Sequence, residues 1–328
     1  MVHDKTINVL VTGVGAIIGY GIIRNLLKSK YTCHVIGIDI FSDAVGQYWC
    51  NKFIKGVRAD SIDFIEFINS TVINEKIDIV IPGIEQDLEA MVQNFDKMSK
   101  NAKYALNNKA LFDIFNDKQK TYDYLKQEAE LIPNLYFEDS LFEKASSELG
   151  LPFILKQNVS YASKGVAVIN SKEEYDKYFD EFSTKCMIQK KMNIKDSEYT
   201  CSIFGLGDGS FVNPICLQRE LSLDGSTRKA TNIDIDEILL KSLQSICKKC
   251  KFEGATNLQF IKSEDKYFLL EINARVSSST SMREQFGINE AEMILDYYLF
   301  DKVPETKEQK KGTIIRYIED AYFDSDNI

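Results

Sequence analysis

The chain has 328 residues, 44% of them hydrophobic and 27% charged, with 40 Lys and Arg against 49 Asp and Glu. That length suffices for two domains with real cores, and a net charge of −9 excludes a general binder of nucleic-acid backbone, though not a site where a few cations hold a small anion. No apolar run reaches the roughly 18 residues of a membrane span. The start MVHDKTINVLVTG shows no leader pattern, and seven unevenly spaced cysteines read as reduced thiols of a cytoplasmic protein.

Strand and helix signals alternate over the first hundred residues. Ile7–Thr12 is a strand, Ile17–Leu27 a helix, His34–Asp39 a strand, Phe64–Asn74 a helix, Asp78–Pro82 a strand and Glu85–Lys97 a helix. Such alternation predicts parallel β-α-β units. Further on, Asp117–Glu130 is helical, Leu151–Gln157 and Gly165–Asn170 are partner strands, Ser171–Phe182 is a helix and Cys186–Lys190 a strand. Glu198–Phe204 and Ser210–Cys216 form a hairpin, Ile233–Cys250 a long helix, and Thr256–Ile261 with Tyr267–Asn273 a second hairpin. Gly312–Ala321 reads as one more strand and a tail. The fold class is therefore α/β followed by α+β. Cys247-x-x-Cys250 lies in the long helix with no second Cys or His pair, so it reads as helix surface rather than as a zinc site.

Gly13-Val14-Gly15-Ala16-Ile17-Ile18-Gly19, with Asp39 at the next strand end, approximates a dinucleotide fingerprint. Its last glycine is one place late. The competing reading is that small residues let the helix pack closely on the strand, and downstream features ask for another nucleotide. Glu85 and Asp87 follow Ile81-Pro82-Gly83 at a strand's C-terminal end, and suit either a substrate ammonium or the positive end of a helix dipole.

The strongest signal is the second hairpin. Gln259 lies on one strand, and Glu271 and Asn273 share a face of the other, so three oxygen-bearing side chains converge. Their donor type suits Mg²⁺ or Mn²⁺ supplemented by phosphate oxygens. Arg275 continues the alternation with a fork for phosphate or carboxylate. The run Val276–Ser281 adds small hydroxyl residues. Lys118 and Lys156 are point cations suited to phosphate, Lys156 the more so for its apolar strand. With only two histidines, His3 and His34, a histidine general base is not expected.

Gln-(x)11-Glu-x-Asn-x-Arg followed by serines resembles the metal-binding segment of the ATP-grasp superfamily, above all the carbamoyl-phosphate synthetase large subunit, with the pyrrolysine-biosynthesis ligase and biotin carboxylase further off. Upstream segments match in order. Asn116-Asp117-Lys118 resembles the opening of the ATP-binding region, and Pro152–Lys156 the strand whose lysine touches ATP phosphates. Ser160–Val166, with Ser163, Lys164 and Gly165, resembles the Gly/Ser loop that closes over them. Gln189-Lys190-Lys191-Met192 resembles the hinge beside adenine, and Glu198 the ribose-binding glutamate. Two departures stand out: lysines at the hinge where relatives carry acidic or aromatic residues, and Gln259 in place of a carboxylate.

The resemblance implies a Rossmann-like domain over 1–106, an ATP-grasp lid over 107–186 and a C-terminal subdomain over 187–328, of two α+β halves. It also implies ATP with Mg²⁺, and a ligase that turns a carboxylate into an acyl phosphate and joins it to an amine. Lys156 and Arg275 are the expected catalytic residues, Arg275 stabilising the acyl phosphate. Small-molecule acid and amine substrates are the expected partners; neither nucleic acid nor membrane is, and a homodimer is left open. A nucleotide-binding sensor and an NAD-dependent oxidoreductase are the competing classes. Arg219 and Arg228-Lys229, around Ser222–Thr227, fit either anion recognition or a solvated loop.

Overall fold

A computed structural model describes residues 5–136, 142–159, 165–182, 186–192, 198–222 and 225–323. In the first part, strands β1 (Ile7–Thr12), β2 (Cys33–Asp39), β3 (Lys52–Lys55), β4 (Ile79–Ile81) and β5 (Lys103–Tyr104) form a parallel sheet in the order β3-β2-β1-β4-β5. Helices α1 (Ile17–Leu26), α2 (Phe64–Asn74) and α3 (Glu85–Gln93) make the crossovers. The strand order reverses between β1 and β4, and at such a switch point an open α/β sheet presents its crevice. Gly13 and Gly83 stand at those two strand ends. A side chain at Gly83 would meet the Thr12 carbonyl at 2.2 Å, and one at Gly19 the Gly13 carbonyl at 2.2 Å. The glycines are therefore required by close backbone packing. Asp39 accepts from the Gly15 N–H at 2.8 Å and the Phe41 N–H at 3.1 Å. Its carboxylate thus orders the turn, which accounts for Asp39 in the approximate fingerprint without a nucleotide.

Helices α4 (Lys109–Phe115) and α5 (Lys118–Leu125) lead to a four-stranded sheet, β6 (Asn134–Tyr136), β7 (Phe153–Gln157), β8 (Val166–Ile169) and β9 (Cys186–Lys190), in the order β6-β9-β7-β8. Helices α6 (Phe142–Leu149) and α7 (Lys172–Phe182) accompany it. All of β9 pairs within this sheet, so a boundary at 186/187 would cut a strand that runs on to Lys190. The third sheet holds β10 (Glu198–Leu206), β11 (Phe211–Leu221), β12 (Thr227–Ile233), β13 (Glu253–Ser263), β14 (Lys266–Asn273) and β15 (Gly312–Ile315), ordered β14-β13-β10-β11-β12-β15. Helix α8 (Glu237–Cys250) covers one face; α9 (Thr280–Gln285) and α10 (Glu290–Phe300) lie towards the other.

The long helix starts at Glu237 rather than Ile233. Asp236 caps it by accepting from the Leu239 N–H at 2.9 Å, and the residues before it are strand β12, hydrogen-bonded to β11. Cys247 and Cys250 are not on its surface. Both are buried in the core with Phe252 and Leu258, and burial pushes the Cys247 thiol up to about 12 and the Cys250 thiol higher still.

The first and third layers share one apolar core, in which Ile22, Ile23 and Leu26 of α1 meet Phe204, Met282, Ile294 and Leu295. Asn25 ties the seam: its side chain donates to Thr280 Oγ1 at 2.9 Å, while its carbonyl accepts from Asn289 at 2.8 Å. Lys30 pairs with Asp296 at 2.9 Å nearby. This packing fixes the parallel sheet's crevice against the end of β14.

Candidate active site

The β13–β14 register sets Gln259 directly opposite Glu271 and Asn257 opposite Asn273, with a bulge between Gln259 and Phe260. On the neighbouring strand β10, Thr200 faces Gln259 and Ser202 faces Asn257. The alternation that selects Gln259, Glu271 and Asn273 from sequence thus places them on one face. Across the cleft, Lys156 comes from β7 and Lys118 from the first turn of α5, where Asp117 caps the helix and the Lys118 N–H donates to the Asn158 carbonyl at 2.9 Å.

A cavity of about 530 Å³ gathers Lys118, Lys156, Gln189, Lys190, Lys191, Met192, Glu198, Gln259, Glu271, Asn273 and Arg275. Eleven residues singled out by sequence, from five strands, a helix and the segments that follow β9 and β14, therefore line one cleft. Gly165 opens the segment before β8; φ there is +67°, and an added Cβ would meet the Gln157 side chain. Ser163 and Lys164 lie outside the described residues.

Burial draws the Lys156 ammonium down to about 8. Lys118 repels it further, and Glu271 opposes the shift. Lys118 is lowered for the same first reason, with Glu271 and Asp117 opposing. Two cations held together with one carboxylate make a site that favours an anion.

Arg275 is held from three sides. Its Nε donates to Glu85, its Nη2 to Asn273 Oδ1 at 3.0 Å and its Nη1 to the Val276 carbonyl at 3.0 Å. The remaining N–H groups stay available to an anion. Glu85, from the first turn of α3, thus links the parallel sheet to the hairpin. Arg219 is buried rather than in a solvated loop; it pairs with Glu198 and donates to Gln259 Oε1 at 2.6 Å. Its charge, beside Gln259, takes a position in which a carboxylate at 259 would have been neutralised. Arg228 and Lys229 pair instead with Glu220 at the surface.

Sequence reasoning missed the support beneath the cleft. Arg283 is fully buried and donates to Ser277 Oγ at 2.8 Å, Thr200 Oγ1 at 3.1 Å, Asn257 Oδ1 at 2.5 Å and Glu290 at 3.1 Å. Ser202 also donates to Glu290. The sequence offers little cue, because Arg283 and Glu290 stand beside two further charges, Glu284 and Glu292, within Met282–Leu295. Arg283→Ala should destabilise the fold by about 3–5 kcal/mol, because it strands the buried Glu290 carboxylate; chemical denaturation measures it.

The donor set fits a hard cation held jointly with phosphates. It offers one carboxylate and two amide oxygens, and among the described residues no cluster of three His, Cys, Asp or Glu exists to bind a metal alone. No helix of the described residues is long and apolar enough to cross a membrane.

A parallel β-α-β layer, a small antiparallel lid and a large antiparallel sheet around a cationic cleft define an ATP-grasp architecture. Residues 185–321 match the family model described as ATP-grasp in the biosynthetic pathway with Ter operon. The carbamoyl phosphate synthase large chain of Thermoplasma acidophilum is 24% identical over 193 residues, which is 52% of this chain and 18% of that one. The chain thus spans less than a fifth of that relative. Among solved structures, N5-carboxyaminoimidazole synthetase from Staphylococcus aureus, complexed with ADP, superposes with a TM-score of 0.74 at 18% identity, over 92% of this chain and 80% of that one. The biotin carboxylase domain of Hydrogenobacter thermophilus 2-oxoglutarate carboxylase, with MgADP and bicarbonate, gives 0.72 at 14% identity, over 95% and 74%. Residues 185–321 thus match an ATP-grasp family model, and the fold as a whole is that of the ATP-grasp structures, as the hairpin motif implies.

Proposed function

We propose that the protein is an ATP-dependent ligase that converts a carboxylate into an acyl phosphate and couples it to an amine, releasing ADP and phosphate. The observation that carries this is the single cleft in which Lys118 and Lys156 face Glu271, Asn273 and Arg275. The base would lie against the hinge Gln189–Met192, between Ile154, Val166 and Val168 above and Ile261 and Leu270 below. Val166 and Val168 are 43% and 42% exposed, apolar side chains left on a strand that a purine would cover. Glu198 would accept ribose hydroxyls, with Arg219 fixing its orientation.

Gln259, Glu271 and Asn273 would hold Mg²⁺ against the phosphates, where the ion neutralises developing charge. Lys156 and Lys118 bind the phosphate oxygens and orient the γ-phosphate for in-line attack. The substrate carboxylate oxygen attacks phosphorus, the bond to the β-phosphate oxygen breaks, and ADP leaves. Arg275 holds the acyl phosphate through its free N–H groups. The amine then attacks the carbonyl carbon, the carbon–oxygen bond to phosphate breaks, and the amine proton passes to solvent. No protein nucleophile is required.

Calorimetry with ATP-Mg²⁺ and with NADH separates this reading from a dinucleotide enzyme: ATP-Mg²⁺ should bind, NADH should not. Tight NADH binding without ATP binding would sink it. Phosphate release that requires both an acid and an amine distinguishes a ligase from a nucleotide sensor, which would bind ATP and turn nothing over.

A further inference from the structure

The cleft has a second chamber, of about 340 Å³, that shares Lys118, Lys156, Gln189, Glu271, Asn273 and Arg275 with the nucleotide chamber. Part of its remaining lining comes from the crevice of the parallel sheet, at Ala16, Ile17, Gly83, Ile84 and Glu85. Among the shared groups Lys118, Lys156, Glu271, Asn273 and Arg275 suit phosphate and its metal, so the chambers meet where the γ-phosphate would sit, with Gln189 and Leu270 shared on the side of the base. If ATP fills the first, the second receives the molecule that attacks it.

Its own walls are mostly apolar, with Gln86, Asn116 and Thr121 the uncharged polar side chains among them. Ile17 at the start of α1, Ile84 before α3, Phe115, Tyr122 and Leu131 all line it, and all remain partly exposed. They are not surplus core: among the described residues 69 hydrophobic side chains are buried, and these are kept facing a cavity. Such a lining favours apolar contact at about 25 cal/mol per Å² buried, and does nothing for a small hydrated anion such as bicarbonate. At the junction stand one anion and one cation side by side, Glu85 and Arg275, each under one-fifth exposed. Arg275 keeps N–H groups for a carboxylate. Glu85 meets Arg275 through one oxygen and retains acceptor capacity on the other for an ammonium. An adjacent acid and base of this kind complement a zwitterion.

Resting on the ligase reading, we infer that the acid substrate is a free α-amino acid with a bulky apolar side chain. Its carboxylate lies between Arg275 and the γ-phosphate, its ammonium against Glu85, and its side chain in the chamber walled by Ile17, Ile84 and Leu131.

The test uses the full chain with ATP-Mg²⁺, and hydroxylamine as a universal amine, reading ADP and hydroxamate mass. Leucine and phenylalanine are compared with their deamino analogues 4-methylpentanoate and 3-phenylpropanoate, and with glycine, aspartate and bicarbonate. Leucine or phenylalanine should exceed glycine, aspartate and bicarbonate in kcat/KM at least tenfold, and their deamino analogues by a similar factor. Preference for bicarbonate, glycine or aspartate overturns the inference and leaves the ligase reading standing. Equal use of the deamino analogues overturns the role of Glu85 and with it the amino-acid assignment. ATP binding with no acid-dependent turnover in the panel overturns the inference, and if amines and acids of every other class also fail, the ligase reading falls too. Ile17→Asp should raise KM for leucine at least tenfold with ATP affinity unchanged; an unaltered KM in a variant that still binds ATP contradicts the pocket assignment.

Discussion

Glu271→Gln should reduce ATP-dependent phosphate release by about 10²–10³-fold while the protein stays folded. Glu271 is the only carboxylate of the proposed metal set, opposite Gln259 and one pleat from Asn273. An amide there leaves three neutral oxygens, too little charge to anchor a divalent cation beside two lysines. The side chain is partly exposed in the cleft and glutamine keeps its volume, so thermal stability should hold. A second readout follows from electrostatics. Glu271 raises the proton affinity of both Lys156 and Lys118, so its loss lowers Lys156 below its already depressed value of about 8. ATP binding should then weaken at a lower pH than in the parent protein. Near-normal phosphate release would remove Glu271 from the metal site, and an unshifted pH profile would show that its carboxylate does not act on the lysines.

Much of this was legible because strand alternation has only two faces. Once Tyr267–Asn273 reads as a strand, Glu271 and Asn273 must share a side, and a short polar turn brings Gln259 opposite. Lys156 is legible as the odd charge in an apolar strand. The glycine turn was ambiguous because G-x-G-x-x-x-G says only that backbone approaches backbone; whether a phosphate or a neighbouring strand approaches depends on Gly83, some seventy residues away. Arg219 was ambiguous for a related reason. Its burial depends on Glu198 and Gln259 arriving from two other strands, and the Arg228-Lys229 pair next to it does reach solvent. Strand β12 was hidden by its composition, Thr-Arg-Lys-Ala-Thr-Asn-Ile, which carries little apolar signal because its partner strands supply the core. Arg283 and Glu290 looked like surface charges of two helices. Only the docking of α9 and α10 onto β10 and β13 brings them together beneath Thr200 and Asn257.

Lys156→Met should stabilise the protein without nucleotide and weaken ATP binding about 10- to 100-fold, the loss of one charge-assisted contact to phosphate. The stability sign follows from the depressed proton affinity. In the unfolded chain the ammonium titrates near 10.5, and in the fold near 8. Between those values the unfolded chain binds the proton and the fold does not, so stability rises with pH from 8 to 10.5 and is flat below 8. At pH 7 the fold therefore bears the full cost of burying this charge, on the order of 3 kcal/mol, and methionine removes it while keeping the volume of the stem. ATP phosphates reverse the balance by restoring the lysine's hold on its proton. Above pH 8 the parent protein should take up close to one proton on binding ATP, seen as a dependence of binding enthalpy on buffer ionisation heat; at pH 7 the uptake should vanish, and in Lys156→Met it should be absent throughout. A variant that is destabilised without nucleotide at pH 7, or that still takes up the proton at pH 9, would show that Lys156 is not the buried cation answering to phosphate.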